Sequence, residues 1–441
     1  MKKILSYIFK LDILSMFIFI EPLSYPSQIT YLNLIKNLIY YLIKLKFKFF
    51  FVVFCILIFV FIIDLFKILY SPLILLIYFS KYRFIQANYQ QIGILNLHLS
   101  GMVKKNYNNG FKSIILIPKI SPYAFVKKIF NNLIIIDGIF LNLILLPLKH
   151  SKLISCRTEE VDLFLNSKLK FIKKAPLSKI ENNFKKKKSN LFKLNKIFIK
   201  EMKKYFIKKY DNIDMSKMYV IHIRTKNPKG TKSTNTRGTN PKLYFSSIKY
   251  LLSKGFYVIR LINDNDINFS FKNKKYIEIN TDLEINKQLQ YYLISRARGL
   301  ICMQSGPGSI GSLLSRPVYE TNLTGPYTQA YTEDGIFIYK KIALKNKVIN
   351  FRKLIDLGFY EGQYACKRYC DKKGFKFINN TSSEILDSLK EFIYIKKLNS
   401  KQKEKQLKFK NSLPDYFDRY SSNISNRFII KNKKIFKEMN L

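Results

Sequence analysis

From about residue 81 the chain alternates between two patterns. Short apolar runs at 83–87, 113–118, 133–137, 218–223, 256–260, 276–279 and 299–303 are separated by stretches of helical spacing at 94–105, 122–131, 241–254, 286–297 and 309–315. A strand apolar on both faces belongs inside a parallel sheet covered on both sides, and the intervening helices supply the cover. One such succession precedes a Lys-rich stretch (163–210) and another follows it, which predicts an α/β protein of two Rossmann-like lobes with a cleft between them. Ligands of such sheets collect outside the carboxyl ends of the strands. Ser382-Ser383-Glu384 then opens a basic helical tail.

The N-terminal pattern is different. Residues 49–63 carry no charge, Asp64 and Lys67 interrupt, and an apolar run resumes over 68–79 around Pro72. A bilayer core takes about 20 apolar residues per helix. Lys44, Lys46 and Lys48 on one flank and Lys81 and Arg83 on the other favour a re-entrant or in-plane anchor. The first apolar run leads to Glu21-Pro22 rather than a small-residue cleavage site, so no cleaved signal peptide is expected. The expected organisation is a hydrophobic membrane-associating segment (1–80), a first Rossmann-like lobe (81–212), a second (213–378) and a basic helical tail (379–441).

Charge changes the picture only modestly. The 441 residues include 77 Lys+Arg against 29 Asp+Glu, a formal balance of +48, while 48% hydrophobic content excludes a disordered basic tail. The cations are mostly Lys and run along nearly the whole chain, whereas a nucleic-acid reader concentrates Arg on one element. The expected anionic partners are therefore lipid and small substrates, with no specific nucleic acid. Five scattered Cys without a CxxC pair, and three His, support neither a structural zinc site nor a disulfide framework.

Arginine is scarce, so its placement is informative. About half of it falls at Arg224, Arg237, Arg260, Arg296, Arg298 and Arg316. A planar, permanently charged fork suits a phosphate, and Arg224 and Arg260 each end a predicted strand. His222 alternates with Arg224 on one face of its strand. In the run Ile301–Gly311 a strand turns through Ser305, Gly306 and Ser309 into a helix, which aims backbone N–H groups at an anion. Asp264, Asp266 and Glu333 are candidates for a base that activates an attacking hydroxyl. With no clustered acids, a metal-independent reaction is expected, with Arg and helix dipoles neutralising a leaving diphosphate. Gly306, Gly308 and Gly311 also spell GxGxxG, so an NAD(P)-dependent oxidoreductase is an alternative. The turn comes late in the chain, however, and the nearest acid is Glu320 rather than one about 20 residues on.

Val220-Ile-His222-Ile-Arg224, Arg237-Gly-Thr-Asn-Pro-Lys-Leu-Tyr244, Tyr250 to Arg260, Ser305-Gly306 and Arg316-Pro317-Val with Asn322 resemble, in this order, one family. It comprises glycosyltransferases of bacterial surface-polysaccharide gene clusters, distantly similar to fucosyltransferase-like enzymes of the GT-B type. Gln91-Ile92-Gly93 is similar to the family's Arg-Ile-Gly-His segment, with Gln91 and Ile94 departing from it, and Gly238 stands where Asn is usual. Glu384-Ile385, Lys390-Glu391 and 424–434 match its tail. The resemblance implies that Arg224, with His222, meets a donor diphosphate and that Ser305 and Gly306 lie at the nucleotide-sugar site. With the hydrophobic segment and the scattered cysteines, the expectation is an inner-membrane enzyme with a cytoplasmic catalytic part, no cofactor beyond the nucleotide-sugar, and a glycan or lipid-linked acceptor. A membrane-tethered binding protein without catalysis is the remaining alternative.

Overall fold

The computed structural model describes residues 68–85, 109–117, 123–131, 133–136, 155–156, 192–225, 237–264, 266, 268–269, 271–324, 332, 334–356, 374–394, 399–412 and 422–439, with isolated helical positions at 39, 43, 54, 58, 62, 65, 96, 99, 103, 106 and 107. The chain forms two compact units. One comprises Met1–Gln90, Gly101–Lys127 and Leu133–Asn183; the other comprises Gln91–Ser100, Lys128–Asn132 and Phe184–Leu441.

In the first unit a parallel four-stranded sheet has the order β3-β2-β1-β4, with β1 Tyr82–Ile85, β2 Lys112–Leu116, β3 Ile134–Ile136 and β4 Ser155–Cys156. Helix α1 (Ser71–Phe79) carries Pro72 in its first turn, where a missing N–H costs nothing. Its Ile74 packs with Phe84 of β1. Arg83 ties the helix end to the sheet: Nη1 donates to the carbonyls of Tyr78 and Tyr82, and the guanidinium lies 3.9 Å from the Phe111 ring centre. The hydrophobic segment thus ends as part of a folded unit, with Leu69, Leu76 and Phe79 left exposed. Among the described residues no helix is long and apolar enough to cross a membrane. Most of 1–80 lies outside the described residues.

The second unit is built on a parallel sheet of seven strands in the order β14-β10-β9-β8-β5-β6-β7. These are β5 Met218–His222, β6 Tyr257–Ile262, β7 Tyr276–Asn280, β8 Gly299–Met303, β9 Val318–Leu323, β10 Ile336–Tyr339 and β14 Asn423–Ile424. Its longer described helices are α2 (Lys196–Tyr210), α3 (Phe245–Ser253), α4 (Glu284–Arg296), α5 (Gly306–Leu313), α6 (Ser382–Ile393) and α7 (Ser400–Ser412), with an antiparallel β12-β11-β13 sheet (Lys347–Val348, Lys341–Leu344, Phe375–Ile378) at its side.

Two segments sit differently from their expected places. Helix α2, expected in the first lobe, packs on α4, where Tyr205 donates to Asn286. The tail is not an appendage. Thr381 and Glu384 form a reciprocal capping box that starts α6, whose Ile385, Leu389 and Phe392 are buried in the main core. Its β14 adds the edge strand to β10. Strands β10 to β12 escaped the sequence pattern because none exceeds four residues and they follow one another within 336–348 without an intervening helix.

Candidate functional site

In the second unit the chain runs outward from β5 through β6 to β7, then returns to lay β8 on the other side of β5. That reversal opens a crevice at the carboxyl ends of β5 and β8, the place where open α/β sheets take ligands. The register Ile221↔Ile301 and His222↔Cys302 brings Arg224 and Thr225 out of the sheet level with Gln304 and Ser305. Strands are about 4.8 Å apart, so these four residues emerge as neighbours.

Arg224 is half-buried. Burial, and then the charge of Arg237, pull its pKa down to about 10. Two guanidinium groups are therefore held close enough to repel, an arrangement that an anion would relieve. The backbone sets it up: the Thr239 N–H donates to the Arg224 carbonyl at 3.0 Å, and Thr225 and Thr239 form a parallel bridge. Lys340, buried at the end of β10, donates from Nζ to the Gly238 carbonyl at 2.9 Å. Nothing in the local pattern singles out Lys340, one lysine among many. His222 is 8% exposed and its buried Nδ1 has no hydrogen bond. Burial lowers its pKa to about 4, against the pull of Asp266, so at neutral pH it is an uncharged hydrogen-bonding group.

Ser305 is the N-cap of α5, in extended backbone, and its buried Oγ has no hydrogen bond. Gly306 and Pro307 form the first turn, so the helix begins at the crevice. Ser309 departs from expectation. Its hydroxyl donates to the Gly306 carbonyl at 2.6 Å, so that proton braces the helix rather than a phosphate. The glycines also have another cause than a dinucleotide. A Cβ on Gly308 would lie 3.1 Å from both Cys302 Sγ and Glu320 Oε1, on the sheet side of the helix. No acid ends β9, which finishes at Leu323 and is followed by Thr324. The turn therefore fits helix-to-sheet packing and lacks the ribose-binding acid of the NAD fingerprint. At Gly311 a Cβ would meet Val318 Cγ2 at 2.7 Å and Leu300 Cδ2 at 3.0 Å. Gly311→Ala is expected to cost about 1–3 kcal/mol through overpacking; an unchanged urea midpoint would contradict this.

Arg260 requires a correction. Strand β6 runs on to Ile262, so Arg260 is inside the strand rather than at its end. It is fully buried, pairs with Glu278 at 2.7 Å and stacks 3.6 Å from the Phe269 ring centre. A side chain so enclosed supports the sheet and does not meet a solvent-borne phosphate. The carboxylates divide. Asp266 accepts from Thr225 Oγ1 and from the Asn263 N–H, which brings it to the β5 end near His222. Asp264 accepts from Asn280 Nδ2 at the end of β7. Glu333, Gln91 and Ile94 lie outside the described residues. Among the described residues no three His, Cys, Asp or Glu side chains gather as metal ligands.

Beneath the site, Asn322 adopts left-handed backbone (φ 53°), which Asn tolerates. Its side chain accepts from the Asn380 N–H at 2.8 Å, and Asn380 Oδ1 accepts from the Asn322 N–H at 2.7 Å. Asn322 Nδ2 donates to Tyr244 Oη at 3.1 Å, so the tail, β9 and the Arg237–Tyr244 segment share one buried network. Asn380 was not legible in the sequence, because its partner is 58 positions away.

No family model and no curated protein matches the chain. Among solved structures it is similar to a glycosyl transferase family 9 protein from Veillonella parvula DSM 2008 (12% identity, 59% of this chain and 86% of that one, TM-score 0.40). It is also similar to E. coli ADP-heptose LPS heptosyltransferase II (11%, 60% and 91%, TM-score 0.38). A third is E. coli heptosyltransferase WaaC with ADP (9%, 66% and 97%, TM-score 0.32).

Proposed function

We propose that the protein is a glycosyltransferase that moves a sugar from a nucleotide-sugar to a hydroxyl of a glycan or lipid-linked acceptor, without a metal. The observation that carries this reading is the half-buried pair Arg224 and Arg237 beside the N-terminus of α5, at the switch point between β5 and β8. A leaving nucleoside diphosphate carries charge on oxygens that two guanidinium forks and helix N–H groups neutralise, which is what departure from an anomeric carbon requires. Neutral His222 and the Ser305 hydroxyl add hydrogen bonds at the same edge. Asp266, which accepts from Thr225 Oγ1 just past β5, is assigned as the base, with its proton received from the acceptor hydroxyl. Exposed Leu69, Leu76 and Phe79 beside Lys81 support attachment at the cytoplasmic face of the inner membrane, near a lipid-linked acceptor.

The test is titration of the full-length chain with UDP, GDP, ADP and CMP sugars and with pyrophosphate. Arg224→Ala is expected to weaken the productive nucleotide by roughly 30- to 100-fold, in the range for hydrogen bonds to charged groups. Arg224→Lys recovers only part of this, because a point charge cannot replace a fork. Tight binding that ignores Arg224→Ala would remove the assigned role.

A further inference from the structure

Arg237 reaches the crevice on a strap that two remote points hold. At one, the Thr239 N–H donates to the carbonyl of Arg224, just past β5. At the other, the Gly238 carbonyl accepts from Lys340 Nζ. Lys340 is itself fixed to the ladder, since its N–H donates to the Leu323 carbonyl at 2.8 Å at the end of β9. Strands β10 and β5 are separated by β9 and β8, three spacings or about 14 Å. The residues Arg237-Gly238-Thr239 and the Lys340 side chain thus cross the carboxyl edge of the sheet together. Lys340 is 5% exposed. Burying an ammonium costs free energy that a Met at this position would not incur, and the hydrogen bond it makes restrains the peptide next to Arg237.

We propose that Lys340 is a positioning residue for the anion site: it holds the strap so that Arg237 faces Arg224. This inference rests on the nucleotide-sugar reading for the identity of the anion, but the tether itself does not. Without the amine, the Gly238 carbonyl loses its donor, Arg237 samples other orientations, and the ordering cost falls on the ligand at binding.

The test uses the full-length chain, with pyrophosphate as probe. Lys340→Met is expected to weaken pyrophosphate by roughly 10- to 100-fold. In that background, Arg237→Ala is expected to cost much less than in the wild type, because the two residues act as one unit. Losses that simply add, or an unchanged affinity in Lys340→Met, would overturn the proposal. A merely structural lysine would lower the melting temperature without this coupling. Amide hydrogen exchange without ligand separates the two readings. Lys340→Met is expected to speed exchange at Thr239 at least roughly tenfold, whether or not any phosphate binds. Unchanged exchange defeats the tether. Wild-type protein that binds neither pyrophosphate nor a nucleotide-sugar, yet shows the faster exchange in the variant, defeats the nucleotide-sugar reading and leaves the tether standing.

Discussion

Arg260→Ala is expected to melt about 6–12 °C below the wild type, while the folded fraction keeps its affinity for pyrophosphate. The substitution removes one partner of a buried ion pair, a change that costs about 3–5 kcal/mol when the other charge is stranded. Here Glu278 retains two donors, Tyr276 Oη at 2.6 Å and the Phe269 N–H at 3.0 Å, which places the loss near the lower end, at about 3 kcal/mol. For a folding unit of this size each kcal/mol is worth about 2–4 °C. The Phe269 ring also loses the guanidinium stacked on it. Calorimetry and pyrophosphate titration on the same sample separate the two consequences. A variant that melts normally but binds poorly would return Arg260 to the phosphate site and undo its structural assignment.

Glu320→Gln is expected to make the protein more stable at pH 8 and less stable, by about 1–2 kcal/mol, at pH 4. Glu320 lies on β9 under the first turns of α5, 7% exposed, with Oε2 lacking a hydrogen bond. Burial pushes its pKa from the ordinary 4.5 to about 8. Below pH 4.5 folded and unfolded chains both hold the proton, so nothing is lost. Between 4.5 and 8 only the unfolded chain releases it, so stability falls as pH rises; above 8 the whole penalty is present. At about 1.36 kcal/mol per pH unit the ceiling is about 5 kcal/mol, and the amide returns part of that by bringing its own unpaired N–H. A gain of about 3 kcal/mol at pH 8 is the expected outcome. Chemical denaturation at several pH values reads it directly, and parallel wild-type and variant profiles would sink it.

Arg260 shows where local pattern stops being informative. Arg224 and Arg260 have the same local signature, an arginine after a run of Val and Ile, and periodicity cannot separate them. Packing does. Strand β6 continues past Arg260, and the register Arg260↔Glu278 sets a carboxylate opposite it. Strand β5 stops at His222, so Arg224 emerges at the crevice, where Thr239 and Arg237 meet it. Ser309 misled for a similar reason. A hydroxyl in a first helical turn can face a ligand or its own backbone, and only the folded helix shows that it takes the latter.

Local pattern was enough for the parallel α/β architecture, the strand-to-helix turn at Ser305–Gly306 and the capped start of the tail helix, because contiguous apolar runs, glycine turns and capping boxes act over a few neighbouring residues. Tertiary structure alone decided which arginine is buried and which is presented. It also decided that the tail completes the second sheet, and that Lys340 and Asn380 support the site. Each of those outcomes depends on a partner tens of positions away, which strand order and register bring near and local pattern cannot.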